Sequence, residues 1–172
     1  MLIYSGNRIP KLSDRVDSSG MLYYTLYLRP PVWGADKELI EGGIVRPSTP
    51  TGYYYQVSSS GVTGPTEPVW GTKKGEITVD NTVEFSAVNN DAYLPPGASL
   101  LVSGPNAPVF TATDGVPIAD STFTPDGEAS VQVGPIPTGV TEFILKLTFF
   151  AFTGHTLAEK DERSVLIRVT ER

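Results

Sequence analysis

The sequence predicts an all-β protein in which a small N-terminal β module (1–90) is followed by an immunoglobulin-like β-sandwich (91–172). Three observations predict this class. The 172 residues include 17 glycines and 15 prolines, spread between short β-branched and aromatic runs. A hairpin pattern lies between 77 and 85. The second half holds six or seven short runs, at the spacing typical of a sandwich.

The N-terminal module is predicted from three consecutive features. The run 21–28 alternates as a strand, with Leu22, Tyr24, Leu26 and Leu28 on the face that we expect to be core. Residues 36–41 are the only plausible helical turn, and 44–52 read as an irregular loop.

The stretch 53–85 begins with the tyrosine run 53–55 and ends with a hairpin. Between them lies a glycine- and proline-rich loop that contains Trp70. We expect Asp80 and Asn81 to form a two-residue turn, because these residues tolerate positive φ better than other non-glycine residues.

The sandwich is predicted to start after the turn-rich segment 89–97. Its expected strands are 98–103, 108–113, 122–124, 129–133, 142–152 and 164–170. Alternation places five apolar residues of the fifth run toward the core: Phe143, Leu145, Leu147, Phe149 and Ala151.

The opposite face carries Phe150 and Phe152, joined by Leu166 of the last strand. These three residues are the candidate interface, because exposed apolar patches usually mark contact surfaces. The alternative is that another part of the same chain covers them.

Composition and charge exclude several classes of function. A net charge of -6 argues against binding nucleic acid through its phosphates. Cysteine is absent, which excludes disulfides and thiolate metal sites and suits a reducing cytoplasm. We expect neither a signal peptide nor a membrane span, because the apolar runs are too short.

No catalytic, cofactor-binding or metal-binding residues are predicted. The single histidine, His155, lies in a loop without partners at suitable spacing. The acidic residues fall mostly at turns, where they form turns and keep the protein soluble.

Four aromatic residues leave two interpretations open. Tyr53 and Tyr55 share one face of a strand, and Trp33 and Trp70 lie in proline-flanked loops. These rings either fill the core of a module that has little else to bury, or stack on a ligand such as a sugar.

Two segments carry a resemblance to a known group of proteins. The first is the pattern Tyr55-x-Val57, Gly61-Val62-Thr63-Gly64-x-x-Glu67-Pro68-x-Trp70, Gly75, and Val79-Asp80-x-Thr82-Val83-x-Phe85. It resembles a short module common in structural proteins of tailed bacteriophages. This sequence departs from that module where Gly71 replaces a proline, Asn81 a glycine and Phe85 a tryptophan.

The second segment is 149–172, which is similar to the C-terminus of small phage virion proteins. Their motif T-x-x-G-R-x-x-D-x-R-S is matched at Asp161, Arg163 and Ser164. The two matches cover roughly a third of the chain.

The resemblance implies a non-enzymatic virion protein that acts by protein–protein contact, in the head-to-tail neck or collar. The implied partners are portal, adaptor, capsid or tail proteins and further copies of the same chain, arranged in a ring. Symmetry is the usual route to such assemblies, and the loop 46–52 is a candidate for reaching a neighbour. The implied location is the virion, assembled in the cytoplasm of a bacterial host. The alternative is a capsid decoration or fibre protein that binds a receptor or carbohydrate, and a hydrolase is a more distant third.

Overall fold

The computed structural model describes residues 12–16, 21–90, 93–153 and 156–169, and these residues form strands without any helix. This confirms the all-β class. The strands are β1 (Leu12–Val16), β2 (Leu22–Tyr27), β3 (Glu38–Leu39), β4 (Ile44–Val45), β5 (Tyr54–Ser59), β6 (Gly61–Val62), β7 (Ile77–Asp80), β8 (Val83–Val88), β9 (Ser99–Leu100), β10 (Val109–Ala112), β11 (Ile118–Phe123), β12 (Glu128–Val133), β13 (Glu142–Thr153) and β14 (Thr156–Arg168).

The described residues form two compact units. Unit 1 comprises the residues up to Leu28, residues 93–94 and those from Ala98 onward; unit 2 comprises 29–90 and 95–97. These units differ from the predicted ranges 1–90 and 91–172. The strand β2, predicted to belong to the N-terminal module, pairs with β12 of the second half, so unit 2 is an insertion in unit 1.

Unit 1 contains two four-stranded antiparallel sheets that contribute to one core. The first sheet has the order β1-β2-β12-β11. In the second, β13 pairs with β14 on one side and with β10 and β9 on the other. The immunoglobulin-like assignment stays a prediction, because the first sheet takes two of its strands from before the insertion.

The core of unit 1 is formed by the faces that alternation predicted. In β2, Tyr24 and Leu26 are buried, as is Leu28 just after it. All five predicted residues of β13 are also buried, at 5% exposure or less. Both sets belong to one apolar cluster, which confirms the predicted inward faces.

The final hairpin extends further than the sequence indicated. β14 begins at Thr156, where the sequence predicted a loop running to 163, and it pairs with β13 over nearly its whole length. The first residues of β14 do not alternate between apolar and polar, so their sequence alone does not predict a strand. They form one because the long β13 supplies a pairing partner. His155 lies outside the described residues.

Unit 2 consists of a four-stranded sheet, with the order β4-β5-β8-β7, and a two-stranded ribbon of β3 and β6. The predicted helical turn at 36–41 is wrong, because Glu38 and Leu39 form β3. A helix this short is unstable alone, whereas Thr63 binds both backbone groups of Lys37. Asp36 adopts a φ of 53°, which a helix does not allow.

The predicted hairpin exists, but its turn is shifted by one residue. Asp80 pairs with Val83, so the two turn residues are Asn81 and Thr82. Asn81 has a φ of 55°, and Thr82 does not have a positive φ. A type I′ turn needs positive φ at both central residues, so this two-residue turn is not of that type.

Candidate interaction surfaces

Trp70 lies in the core of unit 2 at 8% exposure. Its ring centroid is 4.2 Å from that of Tyr55, with the two rings tilted. The centroid of Phe85 is 5.2 Å away, and that pair is arranged edge to face. The Tyr55 hydroxyl donates a hydrogen bond of 2.6 Å to the carbonyl of Gly71, the residue that follows Trp70. Three rings and one hydrogen bond thus fix the Trp70 loop on the sheet.

Glu67 holds the same loop through hydrogen bonds of its side chain. Its Oε1 accepts hydrogen bonds from Trp70 Nε1 at 2.8 Å and from the backbone N–H of Ser48 at 2.9 Å, and its Oε2 accepts one from the Ser48 hydroxyl. Partial burial alone would raise the pKa of Glu67, but the hydrogen bonds from Ser48 and Trp70 outweigh it and lower the pKa. The loop 46–52, which the sequence suggested could reach a neighbouring subunit, is therefore held to Glu67 through Ser48.

Asp80 and Thr63 hold the loops around Trp33 and Gly64. Asp80 accepts hydrogen bonds from Trp33 Nε1 at 2.8 Å and from the backbone N–H of Gly64 at 2.9 Å. The buried Thr63 hydroxyl donates to the carbonyl of Gly34 at 2.7 Å. A Cβ on Gly61 would lie 2.2 Å from a backbone oxygen, so only glycine fits there.

The four predicted aromatic residues thus serve the interior of unit 2. Tyr55 and Trp70 are buried, and Trp33 and Tyr53 are partly buried and packed against the same cluster. This arrangement favours the core interpretation over stacking on a ligand. Stacking would require an exposed ring face, which neither Tyr55 nor Trp70 offers.

The candidate interface residues of unit 1 do not come together. Phe152 is 40% exposed and Phe150 is half-buried near one end of β13. Leu166 lies opposite Ile144 in the register. Ile144 and Phe150 are six residues apart, which is about 20 Å along a strand.

Charged residues occupy the face between the two ends. Glu162 Oε1 lies 3.5 Å from Lys146 Nζ and 3.1 Å from Lys160 Nζ. The hydrogen bond from Lys160, followed by the charge of Lys146, lowers the pKa of Glu162. The predicted single apolar patch is therefore two separate apolar ends flanking an ion-paired centre, because the pleat puts Lys146 on the same face as Phe150.

Two exposed apolar side chains lie on β7, which sequence reasoning treated as architecture. Ile77 is 52% exposed and Val79 is 62% exposed, whereas Thr78 and Asp80, which alternate with them, are buried. β7 is the terminal strand of its sheet. The one feature of the sequence that relates to this surface is the alternation of apolar and polar residues along β7.

The hydrogen bonds of β7 leave its outer edge open to pairing. Glu76 O accepts from the N–H of Ala87, so the backbone groups of alternate residues from Glu76 onward point toward β8. The backbone groups of Ile77 and Val79 therefore point to the sheet edge, where no other described strand pairs with them.

The described residues include no group of three or more histidine, cysteine, aspartate or glutamate side chains that could hold a metal ion. Within the same residues, no helix is suited to crossing a membrane. Comparison of the chain with family models, with curated proteins and with solved structures finds no match.

Proposed function

We propose that this protein is a non-enzymatic structural component of a tailed-phage virion that acts by protein–protein contact in the head-to-tail neck or collar. The observation that carries the contact part of this proposal is the edge strand β7, with its exposed Ile77 and Val79. The virion setting rests on the resemblance of 53–85 and 149–172 to phage structural proteins.

An edge strand with exposed apolar side chains fits the addition of a strand from a neighbouring subunit. Such addition uses main-chain hydrogen bonds for affinity and alternate side chains for specificity. β7 offers both over four residues, with Ile77 and Val79 on one face. A contact this short is weak alone, but repetition around a ring or along a particle compensates.

Three carboxylates of unit 2 have contacts that favour a structural role over a catalytic one. Glu67 and Asp80 both accept hydrogen bonds that fix loops of the fold. Glu76 likewise accepts from the backbone N–H groups of Thr72 and Lys73. Carboxylates engaged in this way stabilise the loops, and a general acid or base needs access to a substrate proton instead.

The test is incorporation of an Ile77→Lys/Val79→Lys variant into virions. Phage lacking the chain would be complemented with wild-type or variant protein, and purified particles would be analysed by mass spectrometry. We expect wild type in the particles and at least about a 10-fold loss for the variant, because lysines on an edge block strand addition. The melting temperature should stay near that of wild type, since both side chains are exposed.

The matched control is Gln56→Lys/Ser58→Lys, which adds the same charge to exposed positions of β5 in the same sheet. This control should enter particles normally. Absence of the wild-type chain from particles would refute the virion role, and normal incorporation of the β7 variant would refute the edge contact.

A further inference from the structure

The first sheet of unit 1 has a polar face that the core and the proposed contact leave unused. Opposite Tyr24 and Val131, which point into the core, side chains from three neighbouring strands line a trough of about 270 Å³. The side chains on this face that line it are Tyr23, Thr25, Asp120, Thr122, Ser130 and Gln132.

The register arranges these residues in two cross-strand rows. Tyr23 lies opposite Gln132, and Gln132 lies opposite Asp120. Thr25, Ser130 and Thr122 form the second row in the same way. The short side chains of the second row make the floor of the trough, beside the longer ones of the first.

Two hydrogen bonds and a β-bulge fix this arrangement. Gln132 Nε2 donates a hydrogen bond of 2.6 Å to the Tyr23 hydroxyl, and the hydroxyls of Thr25 and Ser130 are 3.0 Å apart. In β11 the register shifts between Ile118 and Asp120. Such a bulge redirects the side chain that follows it, and here it sets Asp120 opposite Gln132.

We propose that this trough binds a neutral saccharide. Hydroxyl, amide and carboxylate groups supply both donors and acceptors at short spacing, which is what a ring of sugar hydroxyls requires. The exposed edge of Tyr23 adds an amphipathic ring. The volume lies just below the range of about 300–1,000 Å³ for drug-sized ligands, so it suits one or two sugar rings.

Charge and pairing argue against other occupants. Among the described residues that line the trough, Asp120 alone is charged, and with a net charge of -6 on the chain it disfavours an anionic ligand. A peptide cannot add a strand beside β2 or β12, because each of them pairs with strands on both sides.

The experiment is saturation-transfer NMR on the full chain with glucose, galactose and N-acetylglucosamine, each as a monosaccharide and a trisaccharide, and with sialyllactose as an anionic probe. We expect at least one neutral sugar to bind with a millimolar Kd. Gln132→Ala should weaken this binding about 10-fold, because one well-placed hydrogen bond is lost. Ser130→Leu should abolish binding by filling the trough.

Gln56→Ala is the matched control, because Gln56 is also an exposed strand glutamine but lies in unit 2. It should leave binding unchanged, and all variants should melt near the wild-type temperature. The proposal is overturned if no neutral sugar binds at about 10 mM, if Gln132→Ala and Ser130→Leu both bind like wild type, or if sialyllactose binds better than the neutral sugars. None of these outcomes bears on incorporation into virions, so this proposal and the proposed function fail separately.

Discussion

Replacing Trp70 by alanine removes the largest side chain from the core of unit 2. Its ring packs on Tyr55 and Phe85, and its Nε1 donates to Glu67. Truncation of a buried tryptophan costs about 3–5 kcal/mol. Because a unit this small has only a few kcal/mol of stability in total, we expect Trp70→Ala to unfold unit 2 in the absence of denaturant.

Trp70→Phe separates packing from hydrogen bonding. Phenylalanine keeps a ring beside Tyr55 but cannot donate to Glu67, which still accepts hydrogen bonds from Ser48. Losing one hydrogen bond to a charged group costs about 1–2 kcal/mol here. Trp70→Phe should therefore remain folded with a lower urea midpoint.

Trp33 makes the measurement possible in both variants. Its Nε1 donates to Asp80 at 2.8 Å, so its fluorescence reports on the folded state of unit 2 when Trp70 is absent. Urea titrations should give Trp70→Phe a lower midpoint than wild type, and Trp70→Ala should show no unfolding transition of unit 2, because it is already unfolded without urea. A Trp70→Ala protein within about 0.5 kcal/mol of wild type would refute the reasoning, and one that stayed folded but lost glycan binding would restore the stacking interpretation.

Two further predictions concern the turn at Asn81 and the hydrogen bonds by which Glu67 holds Ser48 and Trp70. Asn81→Gly should be neutral or stabilising, whereas Asn81→Val should cost about 1–2 kcal/mol, because a β-branched residue resists positive φ; equal melting temperatures would contradict this. The lowered pKa of Glu67 means that its contribution to stability is complete above its ordinary value of 4.5 and is lost as the pH falls through its value in the folded protein. Urea midpoints measured from about pH 7 to about pH 3 should fall more steeply for wild type than for Glu67→Gln. Parallel curves of midpoint against pH would show that the Glu67 carboxylate does not stabilise the loop.

The sequence by itself determined the all-β class and the core faces of the long strands. In β13 and β2, apolar and other residues alternate over many positions, and a pleated strand has only two faces. The same local logic found the hairpin at 77–85 and the importance of Trp70 to the module. The strand faces and the hairpin depend on neighbouring residues alone.

Pairing between distant strands was decided only by the tertiary structure. The alternation of β2 fits any sheet, so nothing local shows that it pairs with β12, about a hundred residues later. The domain boundary was misplaced for this reason. The three predicted interface residues were separated for a related reason, since the register of β13 with β14 places Lys146 and Glu162 between them.

β7 shows most clearly how tertiary contacts override a local pattern. Hydrophobicity alone would turn Ile77 and Val79 inward, yet Thr78 and Asp80 are the buried residues. Asp80 is held inside by hydrogen bonds from Trp33 and Gly64, and Thr78 accepts one from the backbone N–H of Gly71. Because the pleat has a period of two, these three hydrogen bonds to distant loops are enough to turn both apolar side chains out to solvent.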